Sequence, residues 1–346
     1  MSCPTPVLAG VLFLSVGILG ILGQAQDFFQ NSRPVPEFPG AGTELPSAES
    51  RAISYLAAEV PAWSKDNHCF SCHNNGDGAR ALYTAQQLSY PVPVEALTDT
   101  TEWLVRPLEW DNNRGNPGFS DKRLARIQFA ASLVEAFETG LIEKREILIQ
   151  AAESLLPFQQ ADGSWQVDVE ALVGSPVTYG TPLATYMARR TLEKADATRF
   201  ETAIARADDW FLGTRVNSML DASAVMLALQ DRSDSQAEAK VRECLELILN
   251  GQASDRGWGP YRLSPSEPFD TAVVLLALLS VRDRPEIEKF IQQGRAYLLQ
   301  RQLSSGGWPG TTRPPGAQSY AQHISTSGWA TLALLKTGNS GEDFER

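Results

Sequence analysis

Two seven-residue loops constrain this chain more than any other feature. Gln159-Gln-Ala-Asp-Gly163-Ser-Trp165 and Gln302-Leu-Ser-Ser-Gly306-Gly-Trp308 both read Gln-x3-Gly-x-Trp. A third stretch, Gln252 to Trp258 (QASDRGW), is the same pattern slipped, with Gly257 one place late. Trp165, Trp258 and Trp308 stand 93 and 50 residues apart, so a unit of about 47 to 50 residues fits, with one copy lacking the motif. A repeat of that length is one supersecondary unit that must stack on its neighbours to bury its apolar face.

Six paired helices follow from that period. A first helix in each unit centres on Tyr55-Leu56, Trp103-Leu104, Ser154-Leu155, Phe211-Leu212, Leu247-Ile248 or Tyr297-Leu298. A second helix follows each, with smaller and more apolar side chains: Ala79–Tyr83, Phe129–Phe137, Leu183–Ala188, Ala222–Leu229, Thr271–Leu279 and Thr326–Leu335. The apolar spacing is helical, and Thr271–Leu279 is apolar nearly all round, which suits a helix buried on every side. Gly, Pro, Asn and Asp collect between the helices, and no strand pattern of any length interrupts them. The sequence therefore predicts an all-α fold.

The Gln-x3-Gly-x-Trp loops and the two-helix unit resemble the repeats of squalene cyclases and protein prenyltransferase β-subunits. The resemblance covers most of residues 47–338 and implies an α/α toroid of six helical hairpins, with six inner helices round a central cavity and six outer helices enclosing them. It also implies that Gln159 and Gln302, with Gln252 as the weaker case, cap the next helix while the partner Trp stacks beside it. A small apolar or isoprenoid ligand in the cavity is the corresponding expectation.

Chemistry concentrates in His68-Cys69-Phe70-Ser71-Cys72-His73, which holds two of the three histidines and two of the four cysteines. Cys-x-x-Cys-His is the attachment pattern of a c-type haem, in which Cys69 and Cys72 become thioethers and His73 takes an axial position on the iron. The stretch resembles c-type cytochromes over these few residues only. If hairpins one and six close the ring, His323 meets the motif and becomes the candidate sixth ligand, ahead of His68. Met187, Met219 and Met226 fall across the ring and fit that role poorly.

Zinc is the alternative, because these thiols and imidazoles also suit that ion. The resemblance to prenyltransferases implies zinc held by an Asp, a Cys and a His. Asp270 falls on the Asp position and His323 near the His position, but the Cys position is Ala272. A Cys69–Cys72 disulfide beside surface histidines is the simplest remaining possibility. Asp77, Asp121, Asp221 and Asp270 each precede or open an inner helix and are expected to cap it. Cys244, on an outer helix, is expected to be buried.

The N-terminus reads as a processing segment. Val7 to Gly23 is an uncharged apolar run, followed by the small-x-small stretch Gly23-Gln24-Ala25. Residues 1–25 are expected to be a signal peptide or to remain as an N-terminal anchor. Residues 26–46, rich in Pro and Gly, are expected to be a flexible linker ahead of one toroid over 47–340. Either fate of the leader places the body outside the cytoplasm, in a periplasmic or other extracytoplasmic compartment, with membrane contact only through that anchor. A net charge of −11 and the lack of any basic run argue against nucleic acid as partner.

Several chemistries lack their motif. No Asp-x-Asp-Asp proton donor occurs; Asp208-Asp209-Trp210 is the nearest stretch and falls on an outer helix. Gly-rich phosphate loops and a His-Glu-x-x-His zinc helix are also missing. The expected work is electron transfer with a redox partner protein, or haem redox chemistry on a small apolar molecule. The alternative is a zinc-dependent prenyltransferase-like or terpenoid-cyclase-like enzyme, or a lipid-binding toroid without haem.

Overall fold

The computed structural model describes residues 46–113, 122–167, 173–311, 313 and 318–338. The signal segment 1–25, nearly all of the linker and Asp121 lie outside them. Twelve α-helices form among the described residues, and no strand does. They are α1 (Ala48–Asn67), α2 (Ala79–Gln87), α3 (Thr98–Leu104), α4 (Lys122–Glu138), α5 (Arg145–Leu155), α6 (Thr181–Asp196), α7 (Glu201–Gly213), α8 (Met219–Leu229), α9 (Ser235–Gly251), α10 (Pro268–Leu278), α11 (Pro285–Arg301) and α12 (Tyr320–Gly338). Each predicted helix falls inside one of them, except that Thr271–Leu279 overruns α10 by one residue.

The even-numbered helices form the inner ring. α2 packs on α4, α4 on α6, α6 on α8, α8 on α10, α10 on α12, and α12 back on α2. Each odd-numbered helix packs outside. Burial follows this arrangement: all of α10 is buried, whereas outer α9 buries only Ala237, Cys244, Leu245, Ile248 and Gly251. An all-apolar inner helix and a striped outer one are what the two positions require.

The Gln-x3-Gly-x-Trp loops are the joints of the ring. Trp165, Trp258 and Trp308 each donate Nε1–H to a carbonyl ten residues earlier, on Leu155, Ile248 and Leu298, at 2.8 Å in every case. Each also gives its backbone N–H to a hydroxyl of the following inner helix, from Thr185, Thr271 or Ser327, at 2.9 Å. The slipped copy keeps both contacts, so the Trp defines the joint and the glycine register does not.

The glutamines behave differently from the expected cap. Gln159 Nε2 donates to the carbonyls of Gly163 at 3.0 Å and Ala203 at 2.8 Å; Gln302 Nε2 donates to Gly306 and Ala48, both at 2.9 Å. The orphan groups at a helix start are N–H donors, and a donating amide does not satisfy them. The glutamine is instead a strap from its own loop to the first turn of the next outer helix. Gln252 reaches only its own loop, at the Arg256 carbonyl, 3.1 Å away. The Gln302–Ala48 strap joins the last hairpin to the first and closes the ring, and Arg295 adds a 2.8 Å ion pair to Glu49. Gly306 sits at φ +94°, where an added Cβ would lie 2.3 Å from the Arg51 carbonyl.

Candidate functional site

The Cys-x-x-Cys-His stretch enters the core instead of remaining a surface loop. Phe70 is buried and stacks on Trp103 with ring centroids 4.5 Å apart. Its backbone is clamped by Asn113, which accepts from Phe70 N at 2.8 Å and donates to Phe70 O at 3.2 Å. From Cys72 the chain turns into a π-helical segment, Cys72–Gly78, that runs straight into α2. Ser71 starts it, its Oγ accepting from the His73 and Asn74 N–H groups at 3.2 and 3.4 Å.

The widened turn is held by side chains that poor helix formers supply. Asn75 Oδ1 accepts from Ser71 N at 2.9 Å, and its amide donates to Thr100 Oγ1 at 2.8 Å. Asn74 donates to the Glu59 carbonyl at 2.9 Å and to Tyr320 Oη at 2.8 Å. Gly328 on α12 allows that helix against the turn, since a Cβ there would lie 2.6 Å from the Asp77 carbonyl.

A polar chain runs inward from the motif. Cys72 Sγ lies 3.6 Å from His73 Nε2, and His73 Nδ1 lies 2.9 Å from Ser325 Oγ on α12. Ser325 in turn donates to Asp77 Oδ2 at 2.7 Å. Asp77 also accepts from Gln128 Nε2 at 3.0 Å and, on Oδ1, from the Tyr179 hydroxyl. The directions set the tautomer. With the Ser325 proton committed to Asp77, Ser325 Oγ accepts from His73 Nδ1–H, so Nε2 keeps its lone pair. Burial lowers His73 to about 4, leaving the imidazole neutral at pH 7. Burial likewise pushes Asp77 up to about 6, against the opposing pull of Arg80 and its three hydrogen-bond donors.

The structure sorts the sequence candidates. Cys69 and Cys72 are half-buried and not joined in a disulfide, and His73 is oriented as described. His323 falls inside the first turn of α12, not in the loop before it, and its Nδ1 lies 3.2 Å from the Trp308 carbonyl. It therefore faces a different neighbour from the Ser325 that holds His73. His68 is exposed at φ 55°, closing α1 through its N–H to the Ser64 carbonyl at 3.1 Å. The expected convergence of three histidines is not what these contacts show. Among the described residues, no three His, Cys, Asp or Glu side chains gather as a metal site.

Asp270, on the prenyltransferase-like position, is held through both oxygens by Arg313, at 2.7 and 3.2 Å. Asp221 does cap its helix, in a box with Ser218. Asp77 does not; its carboxylate ties the π-helical turn ahead of α2 to α4, α12 and the loop before α6. Its role was illegible in sequence because Tyr179, Gln128 and Ser325 lie 102, 51 and 248 residues away. Cys244 is buried as expected, its thiol pushed up to about 12 mainly by burial.

The second feature is a cavity of about 760 Å³ at the C-terminal ends of the inner helices. Tyr186, Met187, Leu227, Leu276, Trp329 and Leu332 form much of its wall. Around the mouth, Arg190 pairs with Glu135 at 3.1 Å and Glu138 at 3.0 Å, Lys194 with Glu138 at 2.8 Å, and Lys336 with Glu135 at 3.7 Å.

This geometry has relatives of known structure. A type II terpene cyclase, MstE from Scytonema, superposes with a TM-score of 0.57 over 84% of this chain and 99% of its own, at 13% identity. The fold is the terpene-cyclase α/α toroid. The ent-copalyl diphosphate synthase of Streptomyces platensis matches with a TM-score of 0.50 over 75% of this chain and 50% of its own, at 18% identity. A possible member of the GH105 family from Klebsiella pneumoniae gives 0.52 over 88% and 97%, at 12% identity. No family model and no curated protein matches the chain. The neighbours carry unrelated names on one toroid, so the likeness establishes the architecture and not a reaction.

Proposed function

We propose that this protein is a terpenoid-cyclase-like toroid that holds an isoprenoid or similar apolar molecule in its central cavity. The observation that carries this is the cavity of about 760 Å³, walled by aliphatic and aromatic side chains and opening among charged ones. A concave pocket of that size, with an apolar stretch beside Arg, Lys, Glu and Gln side chains, has room for a small amphiphilic molecule. The structural comparisons support the reading: MstE has been solved with geranylgeranyl dihydroxybenzoate as substrate and with merosterolic acid A as product. Asp77 is the buried acid nearest in kind to a cyclase proton donor, but both its oxygens are engaged by protein donors. We therefore assign binding to the cavity and no protonation step to Asp77. Calorimetry with farnesol tests the proposal: saturable binding that Leu276→Trp weakens is expected, and no binding would overturn it.

A second reading rests on the orientation of His73. Two thiols not joined in a disulfide and an imidazole with Nε2 unprotonated and Nδ1 pinned to Ser325 are a donor set that fits a covalent haem. Cys69 and Cys72 would hold the group through thioethers and His73 Nε2 would ligate its iron, with Ser325 and Asp77 fixing the imidazole. A haem bound there would supply one-electron redox chemistry. Export, as the leader implies, and a redox partner belong to the same reading. His323, although held by the Trp308 carbonyl and not by Ser325, stays the candidate second iron ligand of this reading, which His323→Ala tests by a shift of the low-spin spectrum. A pyridine haemochrome assay on protein exported through c-type maturation machinery decides it. One thioether-type haem per chain is expected, and its absence would end this reading.

A further inference from the structure

Arg80 is an anomaly in the cavity wall. It is only 2% exposed and lies on α2 one turn beyond Asp77. Its guanidinium lies over the Trp329 ring, 3.9 Å from the centroid, and Nη1 points at Met187 Sδ, 3.4 Å away. Neither contact is a strong acceptor. Nε and Nη2 meet no acceptor at all. A buried arginine with two donors unmet is costly, because each unpaired buried donor forfeits about 1 to 3 kcal/mol. The other cations of the wall differ: Arg189 lies against Asp208 and Glu193, while Arg190, Lys194 and Lys336 pair with Glu135 and Glu138. Arg80 is the most buried of these cations and touches Met187 and Trp329 instead of a carboxylate, with Asp77 and Glu135 acting on it only at longer range.

Trp329 and Met187 fix the guanidinium plane, and the adjacent pair Nε and Nη2 is the edge with which arginine takes the two oxygens of a carboxylate. We infer that the cavity binds an amphiphilic acid, its carboxylate on Arg80 and its chain along Leu227, Leu276 and Leu332. This rests on the isoprenoid-binding reading above and adds the chemistry of the ligand's polar end. Arg80 is only 2% exposed, and a planar carboxylate offers it two oxygens with little volume.

The experiment compares farnesoic acid with farnesol, which share a chain and differ at the end group, by calorimetry on the full chain at pH 7. The acid is expected to bind about tenfold or more tightly, the range of a charge-assisted pair over a neutral contact. Arg80→Met should bring the two ligands to equal affinity. Leu276→Trp, which narrows the wall without touching Arg80, should weaken both alike and keep their ratio. Should Arg80→Met fail to fold, Arg80→Lys keeps the charge but not the two-pronged edge and should reduce the ratio. Equal binding of acid and alcohol by the unaltered chain would overturn the Arg80 assignment and leave the cavity reading intact. So would an acid preference that survives in a folded Arg80→Met chain or is undiminished in Arg80→Lys. Binding of neither ligand would overturn both proposals.

Discussion

Asp77 and Glu135 are two carboxylates buried in one ring, 1% and 2% exposed, and they have opposite acidities. Asp77 is raised to about 6 by burial, with only the neutral donors Tyr179, Ser325 and Gln128 on its oxygens and Arg80 acting at longer range. Burial would raise Glu135 too, but Arg190, Lys336 and Arg80 overcome it and hold the group at about 2. Equal burial therefore does not give equal charge; the neighbours decide. The Asp77 end is a hydrogen-bond joint that tolerates a proton. The Glu135 end is an ionic mouth that does not.

The largest test breaks the ionic mouth. Arg190→Met leaves Glu135 and Glu138 without their shared guanidinium and should cost about 3 to 5 kcal/mol, the usual result of stranding one partner of a buried pair. Urea midpoints at constant slope measure it, and a loss below about 1 kcal/mol would show that Lys336 alone suffices. Next comes Asp77→Asn, which keeps the shape but turns one acceptor into a donor facing either Tyr179 or the Ser325 and Gln128 pair. A loss of about 1 to 3 kcal/mol is expected.

The pH profile sharpens the contrast. Asp77 has a folded value near 6 against an ordinary 3.8, so the folded chain holds the extra proton and its contribution falls as pH rises from about 4 to 6. Glu135 has a folded value near 2 against 4.5, so its contribution is full above about 4.5 and fades as pH drops toward 2. Asp77→Asn should flatten the pH 4 to 6 slope and leave the lower limb unchanged; an unaltered slope would refute the assignment. The smallest effect is expected from Ser325→Ala, about 1 kcal/mol. Its distinctive readout is His73, whose Nδ1–H tautomer should lose its preference in nitrogen NMR spectra.

The fold was legible because repetition left marks at short range. Trp165, Trp258 and Trp308 each bond to a carbonyl ten residues away, so local sequence announces the joint. The Cys69, Cys72 and His73 spacing is also local, and the structure keeps that motif together. What surrounds it was not legible. Ser325 and Tyr179 are ordinary residues whose importance comes from ring closure, and Arg80 reads as any helical arginine until Trp329 and Met187 are placed beside it. The glutamine was misjudged for a chemical reason: its position fits a cap, but its amide donates where a cap would have to accept.

The strap from Gln302 to Ala48 also bears on the order in which the protein comes into being. The Cys-x-x-Cys-His loop is made early, but Ser325, which orients its imidazole, emerges some 250 residues later. The site is thus a product of the finished chain. A truncated protein would carry the thiols and the histidine without the hydroxyl that sets the tautomer. Any group attached before closure would meet an imidazole still free to turn, whereas one attached afterwards would meet a ring held by α12.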